Sequence, residues 1–250
     1  MGDMKQWHNR VALVTGASSG IGRAVALRLA SEGMRVFGCA RRGERLDELQ
    51  RQAADGAFVG LQADLRDEAD IAKMFATIRE QASGVDVLIN NAGLGYLAPL
   101  MDGDPAAWRE MLEVNVLALC ICTREALTDM RGHGDTGHVI HISSMSGHRV
   151  PAGSGVYSAT KYAVRSLTEG LRQELRAAGS AIRVTAISPG FVETEFAANY
   201  HGDEQAAERT YSQYPCIQAD ELADAVLYAL SQPPHVELHD VLLRPTQQRS

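Results

Sequence analysis

No apolar run in the 250 residues approaches the ~18 needed to span a bilayer, and the first residues lack the apolar core of a signal peptide. The sixth position is Gln6 rather than Ser or Thr, which argues against myristoylation at Gly2. Positive charge is short as well. With 24 Lys and Arg against 31 Asp and Glu, the net charge is −7, and no basic stripe offers itself to a nucleic acid. Cysteine is sparse: Cys39, Cys120, Cys122 and Cys216. Cys120 and Cys122 stand two apart in a predicted helix and point in different directions, so they make neither a disulfide nor a metal pair. All four are expected to be reduced packing residues in a cytoplasmic protein. His133, His138, His141 and His148 are not spaced as metal ligands, so no metal is expected. No Gly-x-Ser-x-Gly elbow surrounds Ser144, which sets serine-hydrolase chemistry aside.

No linker, repeat or low-complexity stretch interrupts the chain either. Short apolar runs at 11–15, 35–40, 57–61, 86–89, 138–142, 182–187 and 236–243 read as strands. Between them, helical spacing covers a segment ending at Gly33, then 44–52, 67–81, 104–130, the segment from Tyr157 to Ala178, and 219–230. Asp104 is the expected N-cap of the long helix, with Pro105 at its first position. Strand and helix alternate with short joints, which demands right-handed crossovers and a parallel sheet of about seven strands covered on both faces. The expectation is one doubly wound α/β domain over 1–250. The alternation breaks only at about 190–216, a polar stretch expected to be a lid with small helices.

Gly16, Gly20 and Gly22 lie between the first strand and a helix, where backbone amides and the helix dipole receive a pyrophosphate. A tight turn without a ligand is the alternative. Tyr157 and Lys161 are four apart and so share one helical face. A cation beside a phenol favours phenolate and lowers a pKa that is ordinarily about 10, which suits proton exchange with a carbonyl or alcohol.

Thr15-Gly-Ala-Ser-Ser-Gly-Ile-Gly22, Asn90-Asn-Ala-Gly93, Asn115, Ser144, Tyr157-x-x-x-Lys161 and Ser188-Pro-Gly190 resemble, in order and spacing, the motifs of the short-chain dehydrogenase/reductase family. The resemblance runs from about residue 10 to 243. It implies a three-layer Rossmann fold, a nicotinamide cofactor and hydride transfer between a carbonyl compound and its alcohol. It further implies Tyr157 as general acid/base, Lys161 as its partner and ribose ligand, Ser144 as the holder of the substrate oxygen and Asn115 as the end of a proton relay. Ser143 and Ser146 compete with Ser144, and only the family spacing separates them. By the same resemblance the cofactor would meet Gly16, Ser18, Ser19, Gly20, Ile21, Gly22, Asp64, Leu65, Asn91, Ala92, Gly93, Pro189, Gly190, Val192 and Thr194. Members are commonly homo-oligomers, tetramers or dimers built on the two long helices. Within the family, Ser143-Ser-Met-Ser-Gly-His-Arg-Val and the Arg244-Pro-Thr-Gln tail are most similar to an animal subgroup that acts on ketosteroids, dicarbonyls and prenyl alcohols.

Where NAD binders carry an acid to accept the ribose 2′-hydroxyl, this chain has Ala40-Arg41-Arg42. No carboxylate repels a 2′-phosphate and two guanidiniums can pair with it, so NADP is the expected cofactor. A solvated arginine pair is the alternative. Leu94, Tyr96, Leu97, Met145, Val150, Phe191, Val192, Phe196 and Tyr200 offer an apolar pocket wall for a hydrophobic ketone, aldehyde or alcohol. Arg149 is the counter-signal, because a guanidinium aimed inward would clamp a carboxylate and make the protein a hydroxy-acid dehydrogenase. A non-catalytic NADP sensor is the remaining alternative, against which stands the presence of all four expected catalytic side chains.

Overall fold

In Val11–Thr15 (β1), Ala12 and Val14 pack into one hydrophobic cluster while Val11 and Leu13 pack into another. Side chains alternate across a strand, so this division means that both faces of the sheet are covered. A computed structural model describes residues 4–54 and 56–248 and shows both covers; Gly2 lies outside the described residues. The further strands are Arg35–Ala40 (β2), Phe58–Gln62 (β3), Val87–Asn90 (β4), His138–Ile142 (β5), Arg183–Pro189 (β6) and Asp240–Leu243 (β7). All are parallel, in the order β3-β2-β1-β4-β5-β6-β7. One face carries Gly20–Ser31 (α1), Gly43–Gln52 (α2) and Ala219–Leu230 (α9). The other carries Glu68–Ala82 (α3), Leu119–Gly132 (α5) and Gly155–Ala177 (α6). The order reverses between β1 and β4, and in such sheets ligands bind at the carboxyl ends of the strands beside that reversal.

Two elements differ from the sequence reading. The helix expected over 104–130 starts as expected, with the Asp104 side chain accepting from the Ala106 N–H at 2.9 Å and Pro105 following. It is not continuous, however. Pro105–Leu112 (α4) passes into a π-helical turn, Glu113–Ala118, before α5. Such wide turns concentrate at functional sites, and this one carries Asn115. The last strand is also shorter than 236–243, because the chain before His239 is held to β6 by side chains instead of a backbone ladder. Arg183 donates to the carbonyls of Gln232 and Val236 (both 3.1 Å), Thr185 Oγ1 donates to the Leu238 carbonyl (2.7 Å), and the Glu237 carboxylate accepts from the Val184 N–H (2.8 Å).

The segment 190–216 folds as two short helices, Phe196–His201 (α7) and Glu204–Tyr211 (α8), outside the sheet. It is tied back to the domain by a bridge between Val192 and Ile217 and by backbone hydrogen bonds from Gly190 to Leu243 (2.7 Å) and from Leu97 to Tyr200 (2.9 Å). No helix of the described residues is long and apolar enough to cross a membrane.

Candidate active site

The glycine turn between β1 and α1 sits at the reversal of strand order. Gly16 has φ +69°, which a side chain would strain, and a Cβ there would come within 2.9 Å of the Ala92 backbone. A Cβ on Gly22 would collide with the Gly16 carbonyl and the Asn91 amide. Asn91 explains this closeness: its Nδ2 donates to the Thr15 carbonyl at 2.9 Å, while Thr15 Oγ1 accepts from the N–H groups of Asn91 (3.0 Å) and Ala92 (2.9 Å). The ends of β1 and β4 are thus stitched together under the turn. Ser19, the N-cap of α1, makes no side-chain cap, leaving the first-turn amides open to a ligand. Thr194 faces the turn from the other side, 3.1 Å from where a Gly20 Cβ would stand.

Arg42 reaches into this corner and donates to Ser18 Oγ (3.2 Å) and Ser19 Oγ (3.0 Å). Arg41 turns away: its guanidinium lies 3.5 Å from the Glu110 carboxylate, which also accepts from Arg66 and from the Tyr96 hydroxyl (2.7 Å). The two expected phosphate readers therefore stand in different places, and Arg42 is the one beside the turn. Asp64 is ion-paired with Arg66, whose hydrogen bond is the main reason its carboxyl titrates below the usual range, while Leu65 packs at the edge of the core.

At the reactive end, Ser144, Tyr157, Lys161 and Asn115 converge from three elements, with Tyr157 and Lys161 both on α6. Ser144 follows β5, its hydroxyl accepting from the Ser146 N–H at 3.0 Å and sharing a hydrogen bond with Tyr157. Ser143 is buried and directs its hydroxyl to the Lys161 carbonyl (3.4 Å), away from Tyr157, so geometry now separates the two serines. Lys161 Nζ donates to the Ile142 carbonyl at 3.0 Å and lies 5.9 Å from the centre of the Tyr157 ring. Asn115 brackets Leu94, donating to its carbonyl (2.7 Å) and accepting from its N–H (2.9 Å), and also donates to Thr160 Oγ1 (3.0 Å). The space above Gly93 is flanked by Asn115 Oδ1 and Lys161 Nζ, 3.4 and 3.5 Å from where a Cβ would sit.

The electrostatics correct one expectation. Burial pushes the Tyr157 phenol well above its ordinary value, with the Ser144 hydrogen bond pulling the other way. The burial comes from 190–216: Phe196 and Tyr200 lie 5.4 and 6.0 Å from the Tyr157 ring, centre to centre. Burial likewise brings Lys161 down to about 8.

Of the expected pocket wall, Leu94, Tyr96, Phe196 and Tyr200 gather round Tyr157, joined by Trp108. Val192 packs instead into the core, Met145 is buried, and Leu97, Val150 and Phe191 are exposed at the rim. A cleft of about 670 Å³ opens along the segment 193–211, but none of the four convergent residues lines it. The reactive groups lie under the aromatic cover. The Arg149 guanidinium has no hydrogen-bond or ion-pair partner among the described residues, and its Nη2 is buried.

A nicotinamide dinucleotide fits this arrangement. A turn with glycine at its close approaches, uncapped helix amides and a guanidinium meet at one end, and a polar quartet around Tyr157 stands at the other. The family profile described as short chain dehydrogenase matches residues 10–205. The chain belongs to that family. As a short-chain dehydrogenase it is 51% identical to dehydrogenase/reductase SDR family member 11 of Bos taurus, over 98% of this chain and 99% of the relative. It is 40% identical to farnesol dehydrogenase of Aedes aegypti, over 98% of this chain and the whole of that one. Among solved structures it superposes on the closed form of serine dehydrogenase complexed with NADP+ with a TM-score of 0.91, at 34% identity over 96% of each chain. The chain is an oxidoreductase of this family.

Sequence reading missed Arg45, Glu110, Trp108 and Glu195. Arg45 had a signal, as a third cation in the first turn of α2, three residues beyond the N-cap Arg42. Glu195 and Glu110 had none, because their partners are far away along the chain. All four cysteines are free, and Cys39, Cys122 and Cys216 are buried.

Lys161 yields a stability prediction. A lysine whose pKa falls on folding from 10.5 to about 8 destabilises the fold fully below pH 8. The cost fades as pH rises towards 10.5, where the unfolded lysine also loses its proton. Lys161→Met should therefore stabilise the fold by about 2–3 kcal/mol at pH 7 and by much less at pH 10, while abolishing turnover. Urea unfolding of both proteins at the two pH values measures this.

Proposed function

We propose that this protein is an NADP(H)-dependent oxidoreductase that interconverts an apolar ketone or aldehyde and its alcohol, with Tyr157 as the general acid/base. The observation that carries the reading is Tyr157 itself, hydrogen-bonded to Ser144, backed by Lys161 and roofed by Phe196 and Tyr200. Bound NADPH would supply the hydride. Ser144 holds the substrate oxygen and stabilises its growing negative charge, and Tyr157 passes its phenolic proton to that oxygen. The raised pKa suits this direction, because it keeps the proton on the phenol until an acceptor arrives. Lys161, positive below about pH 8, favours the phenolate left behind and would hold the nicotinamide ribose. Asn115 fixes Leu94 at the pocket wall and, across the space above Gly93, faces Lys161 as the next station for a proton.

For the cofactor, Gly16, Ser18, Ser19, Gly20, Ile21 and Gly22 would cradle the pyrophosphate and Arg42 would read the 2′-phosphate. Asp64, Leu65, Asn91, Ala92 and Gly93 would line the adenosine side, with Pro189, Gly190, Val192 and Thr194 beside the nicotinamide. The NADP+ bound in the serine dehydrogenase structure supports the choice of NADP. We read 190–216 as the substrate lid of a single domain. We also read the protein as a cytoplasmic homo-oligomer, to which half-exposed Leu112 and Leu117 and part-exposed Tyr162 would offer an apolar face.

Arg149 favours a second reading. An unpartnered guanidinium five residues beyond Ser144 could hold a carboxylate, and a structural relative is a serine dehydrogenase, so a 3-hydroxy-acid substrate is the rival. The aromatic cover over Tyr157 and the farnesol dehydrogenase relative weigh towards the apolar substrate. Absorbance at 340 nm tests the class: with a panel of apolar ketones and aldehydes, NADPH is consumed faster than NADH at equal concentration. Consumption of neither cofactor, or of NADH alone, would reject the reading.

A further inference from the structure

The Glu195 carboxylate takes Arg42 Nη1 on one oxygen at 3.1 Å and Arg45 Nη1 on the other at 2.6 Å. Arg42 is the guanidinium that spans the phosphate turn through Ser18 and Ser19. A carboxylate from the segment 190–216 thus stands on the cation assigned above to the 2′-phosphate, bridging it to a second arginine one helical turn further along α2. Partial burial works against ionisation of Glu195, yet the hydrogen bonds from Arg45 and Arg42 hold its carboxyl below the usual range.

Resting on the NADP reading, we infer that Glu195 is the resident counter-ion of the 2′-phosphate site. The cofactor's 2′-phosphate and Glu195 compete for Arg42 and Arg45, and this competition makes Glu195 a specificity-determining residue. Two anions cannot both sit against this pair without repelling each other. Displacing Glu195 costs the two ion pairs it makes, both partly exposed and therefore modest, and the phosphate recovers more through its higher charge and extra acceptor oxygens. A ribose with a bare 2′-hydroxyl has no charge with which to displace it.

The position of Glu195 gives the competition a further consequence. The next residue, Phe196, begins α7 and lies against Tyr157, and Tyr200 follows one turn later. Releasing Glu195 loosens the anchor of the segment that covers Tyr157. A ligand shifts such an equilibrium only through its different affinity for the two states, and the 2′-phosphate is the group that supplies the difference.

The test uses the adenosine half of the cofactor, so that no hydride chemistry enters. Adenosine 2′,5′-bisphosphate and adenosine 5′-monophosphate are titrated calorimetrically into the full chain and its Glu195→Gln variant. Glu195→Gln should bind the bisphosphate about three- to tenfold more tightly than the parent and the monophosphate equally well. In the parent, amide hydrogen exchange across Phe196–His201 should quicken with the bisphosphate and not with the monophosphate. Unchanged or weaker bisphosphate binding by the variant, or equal gains for both nucleotides, would overturn the inference while leaving the NADP reading intact. A parent that binds the two nucleotides alike would overturn the NADP reading and this inference together.

Discussion

Tyr157→Phe will lower kcat by about 10²–10⁴-fold while NADPH binding stays within about twofold of the parent. The substitution removes one hydroxyl and keeps the ring, so the contacts with Phe196 and Tyr200 remain and the aromatic cover stays intact. What disappears is the proton donor and its hydrogen bond to Ser144. Burial of the wild-type phenol also predicts how the rate depends on pH. A phenol whose pKa is held high stays protonated through the neutral range, so carbonyl reduction should not fall because of Tyr157 between pH 6 and 8. NADPH consumption and quenching of protein fluorescence measure the two quantities separately. A variant that turns over near the parent rate would remove Tyr157 from the chemistry.

Arg42→Ala should weaken NADPH about ten- to hundredfold and leave NADH nearly unchanged, because a charge-assisted hydrogen bond to phosphate contributes roughly 1.5–3 kcal/mol. Arg41→Ala should do less. Arg41 is the more exposed of the two and leans on Glu110, away from the serines of the turn. Fluorescence titration of both variants with both cofactors separates these expectations. An equal loss for NADPH and NADH would show that Arg42 does not read the 2′-phosphate.

The adjacency of Arg41 and Arg42 hid this difference. Sequence marks both as cations after β2, and only the fold sends one to Ser18 and Ser19 and the other to Glu110. The sheet itself was legible, since seven short apolar runs alternating with helices leave little freedom in a parallel sheet. The π-helical turn at 113–118 was not. No Gly or Pro interrupts that stretch, and the turn is accompanied by the hydrogen bonds of Asn115 to Leu94, twenty-one residues earlier in the chain. The shortened β7 escaped for a similar reason, since the apolar pattern before His239 is real but its backbone groups are met by Arg183 and Thr185 side chains. At the reactive end the four expected residues were found together, yet the state of Tyr157 was misjudged. Spacing shows that a lysine stands one turn away. It does not show that Phe196 and Tyr200, from another segment, remove the phenol from water.

The central claim is that an apolar carbonyl compound is reduced by NADPH beneath this aromatic cover. Its most direct test is kcat/KM measured with NADPH for matched pairs of ketones that differ only by a carboxylate. The account predicts that the uncharged member of each pair is preferred by about tenfold or more, since a carboxylate would have to be desolvated against Leu94, Trp108, Phe196 and Tyr200. A tenfold preference for the keto acids that Arg149→Ala abolishes would contradict it and make the protein a hydroxy-acid dehydrogenase.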